Sequence, residues 1–152
     1  MRIGVISDTH GLLRPEAMYA LCGCAHILHA GDVGDDSILD ALRTIAPLTA
    51  IRGNVDYGGA CGKLPANETI ELDGKLIYII HARQDIDLHP HAAGIAAVIF
   101  GHSHQPEISW ANGVLYFNPG SAGPRRFKLP VTLGLLECTP NALEPSVVPL
   151  LS

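Results

Sequence analysis

The sequence has few charged residues, and positive charge is the scarcer sign. Only 16% of the residues are charged, and ten Lys and Arg residues stand against fifteen Asp and Glu residues, so the net charge is -5 at pH 7. A chain with this balance has no general basic face for a nucleic-acid backbone. The composition therefore predicts no general nucleic-acid binding and argues against a nuclease.

Cysteine is also scarce, and its spacing suits neither a metal motif nor a redox motif. Cys22 and Cys24 have one residue between them, whereas zinc ribbons and thioredoxin-like motifs have two or more. We interpret these two cysteines, together with Cys61 and Cys138, as reduced thiols that are structural or incidental.

Long apolar runs are absent too. No apolar stretch approaches the roughly 18 residues of a membrane-spanning helix, and residues 1–4 lead into a short strand rather than a signal peptide. We therefore expect a cytoplasmic protein without a membrane partner.

Apolar residues, in contrast, are plentiful. They make up 47% of the 152 residues, which is enough for one substantial core. No internal repeat, low-complexity stretch or linker divides the chain. We expect residues 1–152 to form a single domain.

The hydrophobic pattern predicts strands alternating with helices at first, and then mainly strands. This order favours an α/β fold with a two-layered β core whose first strands are parallel. Asp73-Gly74 and Asn112-Gly113 are typical turns of β-hairpins. Strands are predicted at residues 2–6, 25–30, 48–52, 69–72, 75–80, 96–100, 107–111, 114–117, 131–138 and 143–150, helices from residues 14 and 35, a short helix at 85–94 and a mobile glycine-rich loop at 57–62.

Side chains that can ligate metals follow five of the predicted strands. In open α/β folds, ligands bind in the crevice beyond the carboxyl ends of the strands, so these side chains are expected to converge. They are Asp8 and His10 after the first strand, Asp32 after the second, Asn54 after the third, His81 after residues 75–80, and His102 and His104 after residues 96–100.

Each of these residues also has an ordinary structural interpretation. Asp8 is able to cap a helix, and Asn54 is able to serve a turn through its backbone tolerance. A pair of histidines such as His102 and His104 is weak support for a metal when taken alone. We interpret His29 as a packed residue rather than a ligand, and Asp35 and Asp36 as residues of a helix N-terminus.

The donor chemistry of the whole set is more specific than any single member. Three oxygen donors and four imidazoles favour manganese, iron, zinc, cobalt or nickel over calcium or magnesium. Seven ligands are too many for one structural zinc ion. The hypothesis is that two divalent ions, with Asp32 shared between them, hydrolyse a phosphate ester.

The same residues form an ordered set of motifs. Asp8-Thr9-His10, Gly31-Asp32, Gly53-Asn54, His81 and Gly101-His102-Ser103-His104 resemble the motif set of the calcineurin-like metallophosphoesterases. The chain length and Asn118-Pro119-Gly120-Ser121 are similar to the small bacterial and archaeal phosphodiesterase branch of that family. The resemblance covers residues 2–126 and implies a four-layer αββα sandwich, in which helices flank two mixed β-sheets.

The resemblance also implies how the ligands are shared. Asp8, His10 and His104 would hold one ion, while Asn54, His81 and His102 would hold the other. Asp32 would bridge the two ions. We expect manganese first among the candidate metals.

The sequence departs from the family pattern at two positions. Many relatives have a histidine after the Gly-Asn pair, where it is the usual candidate to protonate the leaving group, but this chain has Val55. His81 is followed by Ala82-Arg83, where many relatives have Gly-His. The resemblance therefore leaves the leaving-group acid open, with Asp56 as one candidate.

The expected activity is phosphodiester hydrolysis by a hydroxide that bridges the two ions, with a small phosphate ester as substrate. Asp32, Asn54, Asp56 and His102 are the candidate catalytic residues, and either Arg125 or Arg126 is a candidate phosphate contact. A phosphomonoesterase or phosphoprotein phosphatase and a non-catalytic scaffold on the same fold are the alternatives. The sequence leaves the oligomeric state open, including a homo-oligomer.

Overall fold

The computed structural model describes residues 1–151 and contains two five-stranded β-sheets. The elements are, in chain order, β1 (Arg2–Ile6), α1 (Pro15–Leu21), β2 (His26–His29), α2 (Asp36–Arg43), β3 (Leu48–Ala50), α3 (Gly59–Gly62), β4 (Asn67–Leu72), β5 (Lys75–Ile80), a 3-10 turn (Arg83–Asp85), β6 (Ile95–Ile99), β7 (Glu107–Ala111), β8 (Val114–Asn118), β9 (Thr132–Thr139) and β10 (Ala142–Pro149).

Both sheets combine parallel and antiparallel strands. The first has the order β10-β9-β1-β2-β3, in which β1, β2 and β3 are parallel and β9 is antiparallel to both of its neighbours. The second has the order β4-β5-β6-β8-β7, with parallel strands at its centre and an antiparallel strand at each edge. The prediction of an α/β fold with two mixed sheets is confirmed.

The main core lies between the two sheets. Ile3 and Val5 of β1 pack in one buried cluster with Ile77 and Ile79 of β5 and with Phe117 of β8. Burial of a side chain of this size contributes about 1.5–3 kcal/mol. Because apolar residues alternate along these strands, one face of each sheet packs against the other. This packing brings the ends of the strands of the two sheets together.

The two longer helices cover the outer face of the first sheet. Leu21 of α1 and Leu39 and Leu42 of α2 are buried against Ile6 and Ile27 of that sheet. Helix α2 begins as predicted, because the Asp35 carboxylate accepts a hydrogen bond from the Ser37 N–H at 2.9 Å and so caps the helix.

Two local predictions are wrong. Residues 85–94 form no helix; Arg83–Asp85 is a 3-10 turn, and the following segment makes single turns around Pro90, which has no N–H to donate. The glycine-rich segment at 57–62 is not all loop, because Gly59–Gly62 forms α3, and its mobility stays a prediction. Asp36, assigned above to its own helix, accepts hydrogen bonds from the N–H groups of Ala60 (3.0 Å) and Cys61 (2.9 Å).

The outer layers of the sandwich are therefore unequal. Helices flank the first sheet, whereas residues 83–94, in turns, flank the second. None of the helices within residues 1–151 has the length and apolar character needed to cross a membrane.

Candidate metal centre

The predicted ligands meet where strands of the two sheets end. The loops after β1 and β2 are joined by hydrogen bonds from Asp8 N–H to the Gly31 carbonyl (3.0 Å) and from His10 N–H to the Asp32 carbonyl (2.9 Å). The loop after β6 reaches the first sheet, because the N–H of His102 donates to Asp8 Oδ2 at 3.1 Å. The loops that follow these parallel strands therefore place their polar side chains at one site.

Five of the seven side chains form a tight cluster, in which four are buried and His10 is partly exposed. His10 Nε2 lies 3.4 Å from Asp32 Oδ2, His81 Nε2 lies 3.2 Å from the same oxygen, and His104 Nε2 lies 3.5 Å from Asp8 Oδ1. In each of two groups, the ligand atoms all lie within 4.8 Å of one another. The first group is Asp8, His10 and His104, and the second is Asp8, Asp32 and His81.

The other two predicted ligands lie at the exposed rim of this cluster. The ring of His102 is 5.3 Å from the ring of His81, centroid to centroid. Asn54 and His81 both line a cavity of about 320 Å³. The first of the two groups matches one ligand set implied by the resemblance; the sharing of all seven ligands between two ions stays a proposal.

Each carboxylate has one oxygen held by the protein and one directed into the cluster. Asp8 Oδ2 accepts hydrogen bonds from Ser7 Oγ (2.8 Å) and from the His102 N–H, while Asp32 Oδ1 accepts one from the Val55 N–H (3.0 Å). Asp8 Oδ1 and Asp32 Oδ2 are the oxygens that face the imidazoles. This arrangement fixes the direction of both carboxylates.

Several atoms that face the centre have no partner. Asp8 Oδ1, His10 Nε2 and His81 Nε2 are buried and make no hydrogen bond within the described residues. His81 Nδ1 lies 2.7 Å from the Ala30 carbonyl, which only accepts, so Nδ1 carries a proton and a neutral ring presents the Nε2 lone pair. An unpartnered buried acceptor destabilises the folded protein by about 1–3 kcal/mol. A cation between these atoms would bind their lone pairs and remove this cost, so the arrangement fits a metal ion.

The pKa values follow from the crowding of these charges. Burial alone raises the pKa of Asp32, but the nearby His81, the Val55 N–H and the charge of His10 outweigh it and lower that pKa to about 2. Burial works against the charged form of His81, yet the carboxylates of Asp32 and Asp8 raise its pKa overall. A proton on His81 would therefore compete with a cation, which makes metal affinity pH-dependent.

Backbone strain is concentrated at the same place. Five of the predicted ligands have positive φ angles: Asp8 (56°), His10 (46°), Asp32 (55°), His102 (72°) and His104 (63°). Such conformations cost about 1–3 kcal/mol each and cluster at functional sites. Gly101 lets the loops approach, because a Cβ there would lie 2.7 Å from Asp8 Oδ2.

His29 is buried behind the cluster and does not face it. Its Nδ1 accepts a hydrogen bond from the Gly31 N–H at 3.1 Å, and its Nε2 lies 3.0 Å from Thr9 Oγ1. Burial lowers the pKa of His29 to about 4, so the ring is neutral at pH 7. The geometry agrees with its interpretation as a packed residue that supports the loops carrying the ligands.

This buried histidine predicts an acid-sensitive fold. Because the pKa of His29 is about 4 when folded and 6.5 in the reference state, the unfolded chain binds more protons between these values. Stability should fall by up to about 3 kcal/mol as the pH drops through that window. Urea unfolding of metal-stripped protein should show a smaller acid-induced loss of stability for His29→Asn than for the wild type; its amide oxygen still accepts from Gly31. The exposed His89→Asn variant should show the same loss as the wild type. Equal losses in all three proteins would contradict this role.

Asp56 occupies a different position from the one expected of a leaving-group acid. It is buried, and its carboxylate accepts hydrogen bonds from the N–H groups of Val33 (3.1 Å), Gly34 (3.1 Å) and Gly53 (2.9 Å). These bonds tie the loop that carries Asn54 to the loop after Asp32. Asp56 therefore positions these loops, and we do not assign it a catalytic role.

Sequence reasoning gave no role to several polar residues that hold the centre. Ser7 Oγ donates to Asp8 Oδ2, Ser121 Oγ donates to the Asp8 carbonyl at 3.0 Å, and Asn118 Nδ2 donates to the Gly101 carbonyl at 3.1 Å. For Asn118 and Ser121 the signal in the sequence was the Asn118-Pro119-Gly120-Ser121 segment, which begins at the last residue of β8.

The fold and the site together define an α/β protein whose candidate metal ligands come from the loops after parallel strands. Residues 1–141 match the family model described as the calcineurin-like phosphoesterase superfamily domain. The chain belongs to this superfamily. In an alignment 163 residues long, it is 34% identical to a probable metallophosphoesterase of Methanocaldococcus jannaschii. The alignment covers 99% of this chain and 82% of that protein.

Solved structures show the same fold. An archaeal phosphodiesterase superposes with a TM-score of 0.80 at 23% identity, over 97% of this chain and 100% of that one. Vps29 of Entamoeba histolytica, solved in complex with Zn²⁺, has a TM-score of 0.75 at 22% identity, over 99% of each chain. The fold is thus common to an enzyme and to a vacuolar sorting protein.

Proposed function

We propose that this protein is a metal-dependent phosphodiesterase that acts on a small phosphate ester. The observation that carries the proposal is the convergence of the Asp8 and Asp32 carboxylates with His10 and His81, whose facing atoms include unpartnered lone pairs. Membership of the superfamily supports phosphoester hydrolysis as the reaction class. The archaeal phosphodiesterase with the same fold favours diesters within that class.

Two divalent ions would be held by seven side chains in this proposal. Asp32 would lie between them, and when bound the ions supply positive charge that polarises the phosphate and lowers the pKa of a water nucleophile from about 15.7 towards about 7. One ion would be held by Asp8, His10 and His104, and the other by Asn54, His81 and His102.

The remaining work falls to groups of the chain itself. Ser7 and the N–H groups of Val55 and His102 keep both carboxylates oriented before the substrate arrives, so no reorganisation is needed during the reaction. The exposed ring of His102 lies beside that of His81, with which it would share the second ion in this proposal. Val55 is 39% exposed at the same rim, and its side chain has no proton for the leaving oxygen.

The test uses chelator-stripped protein that is re-supplied with manganese, iron(II), zinc, cobalt or nickel. We expect hydrolysis only after an ion is added, with bis(nitrophenyl) phosphate cleaved at a higher kcat/KM than nitrophenyl phosphate. An ion at a thousand times its Kd should also raise the thermal midpoint by on the order of 10 °C.

Each outcome of this experiment selects one function. A higher kcat/KM for nitrophenyl phosphate would indicate a phosphomonoesterase. Activity that survives chelation would contradict the metal mechanism. A metal-dependent rise in the thermal midpoint without hydrolysis of either ester would indicate a non-catalytic scaffold, the alternative favoured by the Vps29 fold.

A further inference from the structure

The segment Pro124–Pro130, here called the rim loop, is anchored directly on the candidate metal centre. The preceding Gly123 packs so closely on the loop after β1 that a Cβ would lie 2.7 Å from the carbonyl carbon of Thr9. The Arg14 guanidinium donates to the Gly123 carbonyl at 3.2 Å, and Ser121 donates to the Asp8 carbonyl. The start of the rim loop is therefore held in place.

The rim loop concentrates positive charge in an otherwise acidic chain. Arg125, Arg126 and Lys128 are three of only ten Lys and Arg residues, and all three are exposed. Across residues 1–151 none of the three lies within 4 Å of a carboxylate oxygen. Arg126 is three positions beyond Gly123, so its Cα lies at most about 11 Å from the Cα of Gly123, which packs on the loop that carries Asp8 and His10.

Phe127 is the most unusual residue of the rim loop. Its side chain is 93% exposed, and its φ angle is +53°. A positive φ is a genuine outlier for a bulky residue and costs about 1–3 kcal/mol. Of the eight non-glycine residues with positive φ in the described chain, five are predicted ligands, two are the hairpin-turn residues Asp73 and Asn112, and the eighth is Phe127.

Phe127 and Lys128 are the central residues of a turn closed by a hydrogen bond from the Leu129 N–H to the Arg126 carbonyl at 3.1 Å, and this turn sets the positive φ. Packing does not account for a bulky aromatic residue at this turn position, since Phe127 buries almost nothing. The residue is four positions beyond Gly123, so its Cα lies at most about 14 Å from the Cα of Gly123, which packs on the loop that carries Asp8 and His10. An exposed aromatic ring between two cations beside a phosphate-binding centre is the combination that binds a phosphate joined to a planar ring.

We propose, resting on the phosphodiesterase function above, that the rim loop binds the ester group that the substrate keeps, and that this group is aromatic. Phe127 stacks on its planar ring, and Arg126 and Lys128 contact oxygens of the phosphate. The substrate class is an aromatic phosphodiester, either a nucleoside ester or a simple aryl ester.

The first experiment compares three esters with the same nitrophenyl leaving group and a methyl, phenyl or 5′-thymidine retained group. For the manganese-loaded protein, Phe127→Ala should lower kcat/KM roughly tenfold for the phenyl and thymidine esters, with the change mainly in KM, and leave the methyl ester nearly unchanged. Phe127→Tyr should keep the wild-type pattern, and Phe127→Leu should resemble alanine. Tyr19→Ala, which removes another exposed aromatic ring on α1, is the control and should change nothing.

The second experiment does not depend on turnover. Titration calorimetry should find phenylphosphonate binding the manganese-loaded wild type roughly tenfold more tightly than methylphosphonate, and Phe127→Ala should abolish this difference. In the first experiment, a larger loss of kcat/KM on Phe127→Ala for the thymidine ester than for the phenyl ester would identify the retained group as a nucleoside. Equal losses for the two esters would indicate that the site accepts any aryl group.

Failure of this proposal is distinct from failure of the proposed function. Equal effects of Phe127→Ala on all three esters, or an unchanged phosphonate preference, would overturn the role of the rim loop while hydrolysis persists. Absence of hydrolysis by the wild type would overturn the phosphodiesterase function, and the phosphonate titration would still decide whether Phe127 binds an aromatic ring.

Discussion

Asp32→Asn should lower kcat/KM for bis(nitrophenyl) phosphate by on the order of 10³ and weaken metal binding. The substitution removes one of only two carboxylates in the cluster and the oxygen that faces His10 and His81. The fold should survive, since the asparagine amide oxygen still accepts from the Val55 N–H that now binds Asp32 Oδ1. Steady-state kinetics and metal content after dialysis measure both effects.

The matched control is Asp40→Asn. Asp40 is an exposed carboxylate on α2 and forms a 3.6 Å ion pair with Arg43, so its loss removes the same charge far from the site. It should keep wild-type activity. Wild-type activity in Asp32→Asn, or an equal loss in both variants, would rule out a direct role for Asp32.

Val55→His should raise the rate on alkyl phosphodiesters by roughly 10² or more and have little effect on nitrophenyl esters. A general acid contributes about 10²–10⁴ only where the leaving oxygen needs a proton, and nitrophenolate does not. Val55 is half-exposed at the rim beside Asp32, so an imidazole there would reach the leaving group. Comparison of the two ester types in wild type and variant measures the effect.

Val55→Leu is the control for this substitution, because it adds bulk without a proton. It should leave the ratio of the two rates unchanged. If the wild type cleaves alkyl and nitrophenyl diesters at similar rates, the chain already has an acid, and the inference drawn from Val55 is wrong.

Local signals accounted for much of the fold. The Asp73-Gly74 and Asn112-Gly113 turns predicted the β4–β5 and β7–β8 hairpins, because only residues that tolerate positive φ suit such a two-residue turn, and all four have it. Apolar runs such as residues 96–100 predicted buried strands. The failures were short segments: residues 85–94, where Pro90 prevents continuous hydrogen bonding, and residues 57–62, where Asp36 caps a helix from 24 residues away.

The donors of the metal centre were likewise visible in the sequence, since carboxylate and imidazole groups after strands are chemically distinctive. The roles of neighbouring residues were not. Asp56 looked like a candidate acid because it lies two positions after Asn54, yet its carboxylate accepts from two N–H groups of the loop after β2 and from one N–H group of its own loop. Nothing local distinguishes a carboxylate that binds backbone from one that faces a substrate.

By itself, the sequence determined the strands, the two hairpins and the types of atoms offered to a metal, because periodicity, turn conformation and donor chemistry are properties of neighbouring residues. Only the tertiary structure decided which donors remain without partners, which polar residues hold them, and that Phe127 is exposed with a positive φ in the rim loop. These properties depend on contacts between loops up to 113 residues apart, as between Ser121 and Asp8, and they exist only once the two sheets have packed.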